Sequence, residues 1–336
     1  MANLLSRAQI DSVISAAGAA PSIHNSQPWH FTAEAGGVIE LHGQIDRALW
    51  VGDPQAKALY QSCGAALFNL RLAIRITGHD ARVSLLPHPE HPFTTLAVIQ
   101  PEAGSPPTAV ERGLYDAIWR RHTNRGPFAD RVIPAAVQLA MGRAADLEGA
   151  TLRWLSPQYA TAVLAVAAEA GRELAADAAH NLELQRWIGT GSDQDGIPVS
   201  ALASRPAKWP YPVRFDDFAA SVPGVERPIA DYEQFPQLAM LTTECDEPGD
   251  WLRAGQALQG VLLTATMNGV SASFLAQALE LLDMREESPA SWGLAEPLQM
   301  IIRFGYGPST AATPRRQESD LLDESARPAD SPGPGR

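Results

Sequence analysis

Apolar residues recur at helical spacing soon after the N-terminus. Ile10, Val13, Ile14 and Ala17 fall on one helix face. Ser6 and Gln9 form a capping box ahead of them, and Leu5 and Ile10 are placed as its hydrophobic staple. Gly18 and Pro21 predict the stop. After a polar, proline-bounded stretch, Trp29 to Phe31 and Val38 to His42 read as strands. Asp53, with Pro54 behind it, predicts the start of a second helix. Leu59, Cys63, Ala66, Leu67, Leu70 and Ile74 line its apolar face, and Gly78 ends it. Strands are expected near 82–86 and 93–100, and the proline-rich residues 101–108 read as a linker.

Beyond that linker a helix carries Val110, Leu114, Ala117 and Ile118. A helix near 134–145 and a strand near 151–155 follow. Ser156 and Pro157 open what reads as one long helix reaching about Trp187. Residues 189–235 are rich in Gly, Pro and aromatic side chains and lack periodicity, the pattern of a functional loop or lid. The expected closing elements are a strand near 236–243, helices near 249–268 and 275–286, and a strand near 297–305. From Gln317 onward, acids and prolines predict a disordered tail.

One internal repeat stands out. At an offset of 191 residues, Gly64, Ala66, Leu67, Leu72 and Gly78 coincide with Gly255, Ala257, Leu258, Leu263 and Gly269. An apolar strand follows each copy, Phe93 to Gln100 in one and Leu298 to Gly305 in the other. The expected fold class is therefore α+β, built as two related halves, 1–104 and 105–316, with a tail at 317–336 and a lid near 190–235.

Charge narrows the function classes. The formal net charge of −12 disfavours general binding to nucleic acid or to an anionic membrane. Two cysteines, Cys63 and Cys245, cannot build a disulfide framework or a four-thiolate metal site. No apolar stretch approaches the roughly 20 residues of a membrane helix, and the first residues lack a signal-peptide core, so a cytoplasmic location is expected. Only Lys57 and Lys208 are lysines, so clustered arginines stand out.

Arg120, Arg121, His122, Thr123 and Arg125 form the strongest cationic cluster. Guanidinium forks suit phosphate, although a helix C-terminus also favours cations without any ligand. Pro21 to Trp29 carries Ser22, Asn25 and Gln27 between two prolines. It reads either as a pre-organised donor loop for a planar heterocycle or as an ordinary connector. Gly305-Tyr306-Gly307 lacks the helix and strand of a dinucleotide site, and the prolines of His88-Pro89-Glu90-His91-Pro92 preclude helical metal geometry. Metal is not expected.

Pro21-Ser22-x-x-Asn25-x-Gln27-Pro28-Trp29 resembles the flavin-contacting loop of the FMN-dependent nitroreductase superfamily. Arg121-His122-Thr123-Asn124-Arg125 is similar to that family's phosphate-binding segment, Trp251 to Ala276 to its core helix and ring-side strip, and Pro314-Arg315-Arg316 to its C-terminal basic pair. The usual chain carries the arginine segment first and the loop after it. Here each half keeps only one of the two, as in the Acg-like subgroup, which resembles a homodimer fused into a single chain.

The resemblance implies FMN, one per chain, in a pseudo-dimeric monomer. It places Arg121, His122, Thr123 and Arg125 at the phosphate and ring edge. Pro21, Ser22, Ile23 and Asn25 are implied from the other half, with Ser273, Phe274, Leu275 and Ala276 along the ring and Arg315 and Arg316 at the phosphate. No catalytic side chain is implied. The expected activity is hydride transfer between NAD(P)H and a small organic acceptor. The alternatives are a flavin-storing protein with a closed lid, in which Trp209, Tyr211, Phe215 and Phe218 would cover the ring, or a biosynthetic dehydrogenase or oxidase.

Overall fold

The computed structural model of the protein describes residues 5–34, 37–91, 93–189, 194–202, 204–206, 229–280, 292 and 294–323. Helix α1 (Arg7–Gly18) begins at the predicted capping box, with Ser6 accepting from the Gln9 backbone N–H. Leu5 and Ile10 are both buried in the first core. Strands β1 (Trp29–Ala33) and β2 (Ile39–Gly43) form an antiparallel hairpin. Helix α2 (Lys57–Ile76) leads to β3 (His79–Leu85) and β4 (Ala97–Ala103), and the first sheet runs β1-β2-β4-β3.

Three boundaries differ from the sequence expectation. Helix α2 starts at Lys57 rather than beside Asp53. Asp53 still caps it: its carboxylate accepts from the N–H groups of Ala58 and Leu59 at 2.9 and 3.2 Å, reaching over a left-handed Ala56. Pro101 belongs to β4, opposite Ala81 of β3 and outside the register with β2, which runs only from Ile99 to Ala97 on this strand. The long helix expected to reach Trp187 is two helices, α5 (Pro157–Ala176) and α6 (Ala178–Leu184). Asp177 leaves helical geometry between them and its side chain caps α6 through the N–H groups of Ala179 and His180.

The second half contains α3 (Ala109–Ile118), α4 (Ala135–Asp146), β5 (Ala150–Trp154), α5 and α6. A two-residue parallel pair, β6 (Arg205–Pro206) and β7 (Ile229–Ala230), precedes β8 (Gln237–Thr243). Then come α7 (Pro248–Met267), β9 (Ser271–Phe274), α8 (Gln277–Glu280) and β10 (Leu298–Gly305). The second sheet runs β5-β8-β10-β9, all antiparallel. In each sheet the strand that follows the 20-residue helix takes the edge and the next strand lies inside it.

Helices α2 and α7 pack against each other at Gly64 and Gly255. A methyl group on Gly64 would stand 2.2 Å from the Leu252 carbonyl oxygen, and one on Gly255 would stand 2.0 Å from that of Gln61. Only glycine permits so close an approach. Gly78 and Gly269, which follow the two helices, both have positive φ, 87° and 68°.

Three cores surround this pair. The first lies between sheet one, α1 and α2, and takes Trp251, Leu252 and Leu263 from α7. The second lies between sheet two, α4 and α7. The third sets α5 against the other face of sheet two, through Val163, Leu164, Met240 and Ile301. β8 and β10 are buried almost throughout because their sheet is covered on both faces, whereas β3 alternates between half-buried and exposed.

The expected disordered tail is docked at its start. Glu318–Leu321 is a turn of helix, and Leu321 and Leu322 are buried. Leu321 packs on Gly18, and the Asp323 N–H donates to the Phe31 carbonyl. Two leucines thus outweigh the acidic surroundings. Trp209, Tyr211, Phe215 and Phe218, and most of the expected lid, lie outside the described residues. Among the described residues no helix is long and apolar enough to cross a membrane, and no His, Cys, Asp and Glu cluster could hold a metal.

Candidate functional site

Two cavities adjoin, and Thr123 and Phe274 line both. The first, about 120 Å³, lies between Pro21 to His24, the first turns of α2, Phe274, Ala276, Leu279 and Glu280. The second, about 400 Å³, lies among Arg120 to Asn124, the end of α7, Ser271, Ala272 and Gly307 to Thr310.

The arginine segment leaves α3 and runs beside β9. The Asn124 N–H donates to the Ala272 carbonyl at 2.9 Å, and the Asn124 amide donates to the Pro308 carbonyl at 2.8 Å. Beyond it, the buried Arg303 on β10 pairs with Glu233, stacks on Phe128 and donates to the Gly126 carbonyl. The Tyr232 hydroxyl donates to the Arg125 carbonyl. These contacts hold the segment's exit rigid.

Arg121 is only 5% exposed, and its Nε has no hydrogen-bond partner among the described residues. No carboxylate pairs with it among the described residues. Burial, then the neighbouring Arg315 and Arg125 guanidinia, push its pKa down to about 9. Burial pushes Arg315 down to about 10, and its Nε is also unpartnered. Among the described residues the hydrogen bonds of Arg315 all go to neutral acceptors, among them Asn25 Oδ1 at 2.8 Å and the Thr313 hydroxyl at 2.6 Å. Burial together with Arg121 and Arg315 lowers the pKa of His122. Like charges gathered away from water are unfavourable, and an anion between them relieves the cost.

The opposite wall comes from the segment between α1 and β1. His24, Asn25 and Gln27 all have positive φ, at 45°, 58° and 49°. Three left-handed non-glycine residues in four positions are strained. Side chains secure them: Ser22 Oγ accepts from the Gln27 N–H at 2.9 Å, and Ser62 Oγ accepts from the Ile23 N–H at 3.2 Å. The Asn25 amide donates to the Gly196 and Pro314 carbonyls, and Gln27 Nε2 donates to the Gln194 carbonyl at 2.7 Å. Asn25 thus ties the loop to Arg315 and to the segment at 194–196.

No protein-family model matches the chain. Two Mycobacterium tuberculosis relatives cover nearly all of it. "Putative NAD(P)H nitroreductase acg" is 31% identical over 334 residues, covering 95% of this chain and 96% of the relative. The chain belongs to the nitroreductase superfamily, with Acg-like relatives. A second superfamily member, "Putative NAD(P)H nitroreductase Rv3131", is 30% identical over 322 residues, covering 94% of this chain and 91% of the relative. Among solved structures, a nitroreductase with bound FMN from Desulfitobacterium hafniense has a TM-score of 0.36 at 12% identity, covering 61% of this chain and 93% of that one.

The nitroreductase-like site residues divide by position. Pro21, Ser22, Ile23, Thr123, Arg125, Phe274 and Ala276 line the first cavity, and Arg121 and His122 the second. Asn25 and Arg315 stand behind these walls, joined to each other. Ser273 and Leu275 do not line either cavity; both are buried, and Leu275 packs in the third core because side chains alternate along this strip. Arg316 donates to the Gln27 and Trp29 carbonyls and to Gln44, so it braces the loop.

Several cavity residues carried no signal in the sequence. His24, Asp53, Lys57, Gln61, Gln299 and Glu280 converge from four separate segments. Lys57 Nζ donates to Asp246 Oδ1 at 2.8 Å and to the Leu298 carbonyl. Burial pushes the His24 pKa down to about 4, so the ring is neutral near pH 7.

Proposed function

We propose that this chain is an FMN-dependent, nitroreductase-like oxidoreductase. It holds one flavin between its two halves and passes hydride between NAD(P)H and a small organic acceptor. The carrying observation is the cation pair Arg121 and Arg315, buried or half-buried, each with an unpartnered Nε and no carboxylate partner among the described residues. This donor set fits a phosphate dianion.

When bound, FMN supplies the hydride chemistry. Arg121 would meet the phosphate from the wall of the second cavity, with His122 beside it and Arg315, behind that wall, adding its charge. Arg125 and Thr123 would orient the ring edge, and Arg125 would carry positive charge toward it, which would favour the reduced, more anionic ring. The rigid Pro21 to Ile23 loop and the Phe274 to Ala276 strip orient the ring from opposite halves and exclude water from it. No side chain of the chain serves as nucleophile.

We read residues 1–104 and 105–316 as two related halves that reproduce a homodimer within one chain. Support comes from the matching sheet orders and from the reciprocal Gly64 and Gly255 contact. The segment α5 to β7, inserted between β5 and β8, then belongs to the second half alone.

A second reading has one specific observation in its favour. Gln194 and Gly196 are hydrogen-bonded onto the Asn25 and Gln27 loop, which suits a flavin kept covered rather than turned over. Anaerobic titration with NADPH, then NADH, separates the two. Oxidoreductase function predicts bleaching of the flavin absorbance. A yellow protein that bleaches with dithionite but not with either nucleotide would favour sequestration.

A further inference from the structure

The first cavity has a wall that phosphate and ring binding leave unused. His180 on α6 and Glu280 at the end of α8 meet there, with Nε2 and Oε2 3.0 Å apart and each side chain 6% exposed. Glu280 lines the cavity. His180 occupies Oε2; Oε1 is buried and has no hydrogen-bond partner among the described residues. A buried carboxylate oxygen left unmatched is costly, and native structures rarely retain one without a use.

The surrounding charges leave Glu280 ready for a ligand. Burial lowers the His180 pKa, but the hydrogen bond and charge of Glu280, with Glu183 and Asp177, outweigh it and raise it overall. Glu183 is already engaged by the N–H groups of Val51 and Gly52, and Asp177 caps α6. His24 and Arg125 also act on this corner. Leu258, Phe274, Leu279 and Met300 give the cavity an apolar surface, beside the polar side chains of His24, Asp53, Lys57, Gln61 and Gln299. Asp53 and Lys57 are already engaged, by the N–H groups of α2 and by Asp246. Glu280 thus offers an unmatched acceptor beside that apolar surface.

We propose that Glu280, held in place by His180, accepts a hydrogen bond from an N–H or O–H group of a small, largely apolar ring compound in this cavity. The assignment gives a substrate class to the oxidoreductase site proposed above and rests on that reading for its place beside the ring. A bare nitro group presents only oxygen acceptors and leaves Oε1 unmatched. An amide, amidine or phenol satisfies it. His180 is a positioning residue: its ring fixes which carboxylate oxygen faces the cavity.

The test is isothermal titration of the purified protein at neutral pH with benzamidine, benzamide, nitrobenzene and benzoate. These probes share a ring and differ in the group offered to Glu280. Benzamidine and benzamide should bind about tenfold or more tighter than nitrobenzene and benzoate, the size of a hydrogen bond to a charged group. Glu280→Gln should cost benzamidine about tenfold. Glu280→Asp should restore part of that loss. A wild-type ranking without preference for donors overturns the proposal, as does failure of all four probes to bind. So does a folded Glu280→Gln protein that loses flavin yet keeps the wild-type ranking, because Glu280 would then serve the cofactor. Flavin content is measured in parallel. A colourless protein that still ranks the probes removes the flavin reading and not this one, and a yellow protein without the ranking does the reverse.

Discussion

Arg121 is placed where it has neither free access to water nor, among the described residues, a carboxylate to neutralise it. Its removal should therefore cost anion binding far more than folding. Arg121→Ala is expected to weaken FMN retention by about 1.5–3 kcal/mol, read as flavin content after extensive dialysis. Equal retention in variant and wild type would refute the assignment. His24 sets a pH dependence of its own. Its folded pKa of about 4 lies below the ordinary 6.5, so between them the unfolded chain binds a proton that the folded chain excludes. Stability tied to this group is complete above the upper value and declines as pH falls toward the lower. Between about pH 7.5 and about pH 5, wild type should lose roughly 2 kcal/mol more than His24→Asn, which tolerates the same left-handed backbone. Urea midpoints at the two pH values check this. The arginine cluster was legible because three arginines within six residues stand out in so acidic a chain. Glu280 and His180 were not, since nothing along the chain shows that residues 100 apart in sequence share a hydrogen bond.

At the scale of elements, the glycine pair decides how closely α2 and α7 approach. Gly255→Ala forces a methyl group onto the Gln61 carbonyl, and overpacking of this kind costs about 1–3 kcal/mol. Gly142 in α4 has nothing within 4 Å of an added methyl group, so Gly142→Ala should instead gain about 0.5–1 kcal/mol from helix propensity. Denaturant unfolding of the two variants should move in opposite directions. The repeat was visible in sequence because this contact demands glycine at matched positions. Helix α2 and helix α7 begin 191 residues apart, the same offset as the glycines. The break at Asp177 was hidden, since no glycine or proline marks it and the alanine-rich flanks continue the helical pattern. The start of α2 was misplaced because an aspartate can cap from several residues upstream when one residue turns left-handed.

Across the whole molecule, two sheets of matching order flank the helix pair, and the chain's last described turn returns to the first half. Composition alone hid that return. Leu321→Ala should cost about 2–4 kcal/mol, because Leu321 is buried against Gly18 and its cavity cannot fill from solvent. Thermal unfolding measures it, and an unchanged midpoint would show the docked turn to be unimportant. The central claim is that two halves of one chain share a single flavin. Native mass spectrometry of protein reconstituted with FMN tests it most directly. One FMN bound to one chain is the predicted species. Two FMN per chain, or none after reconstitution, would contradict it.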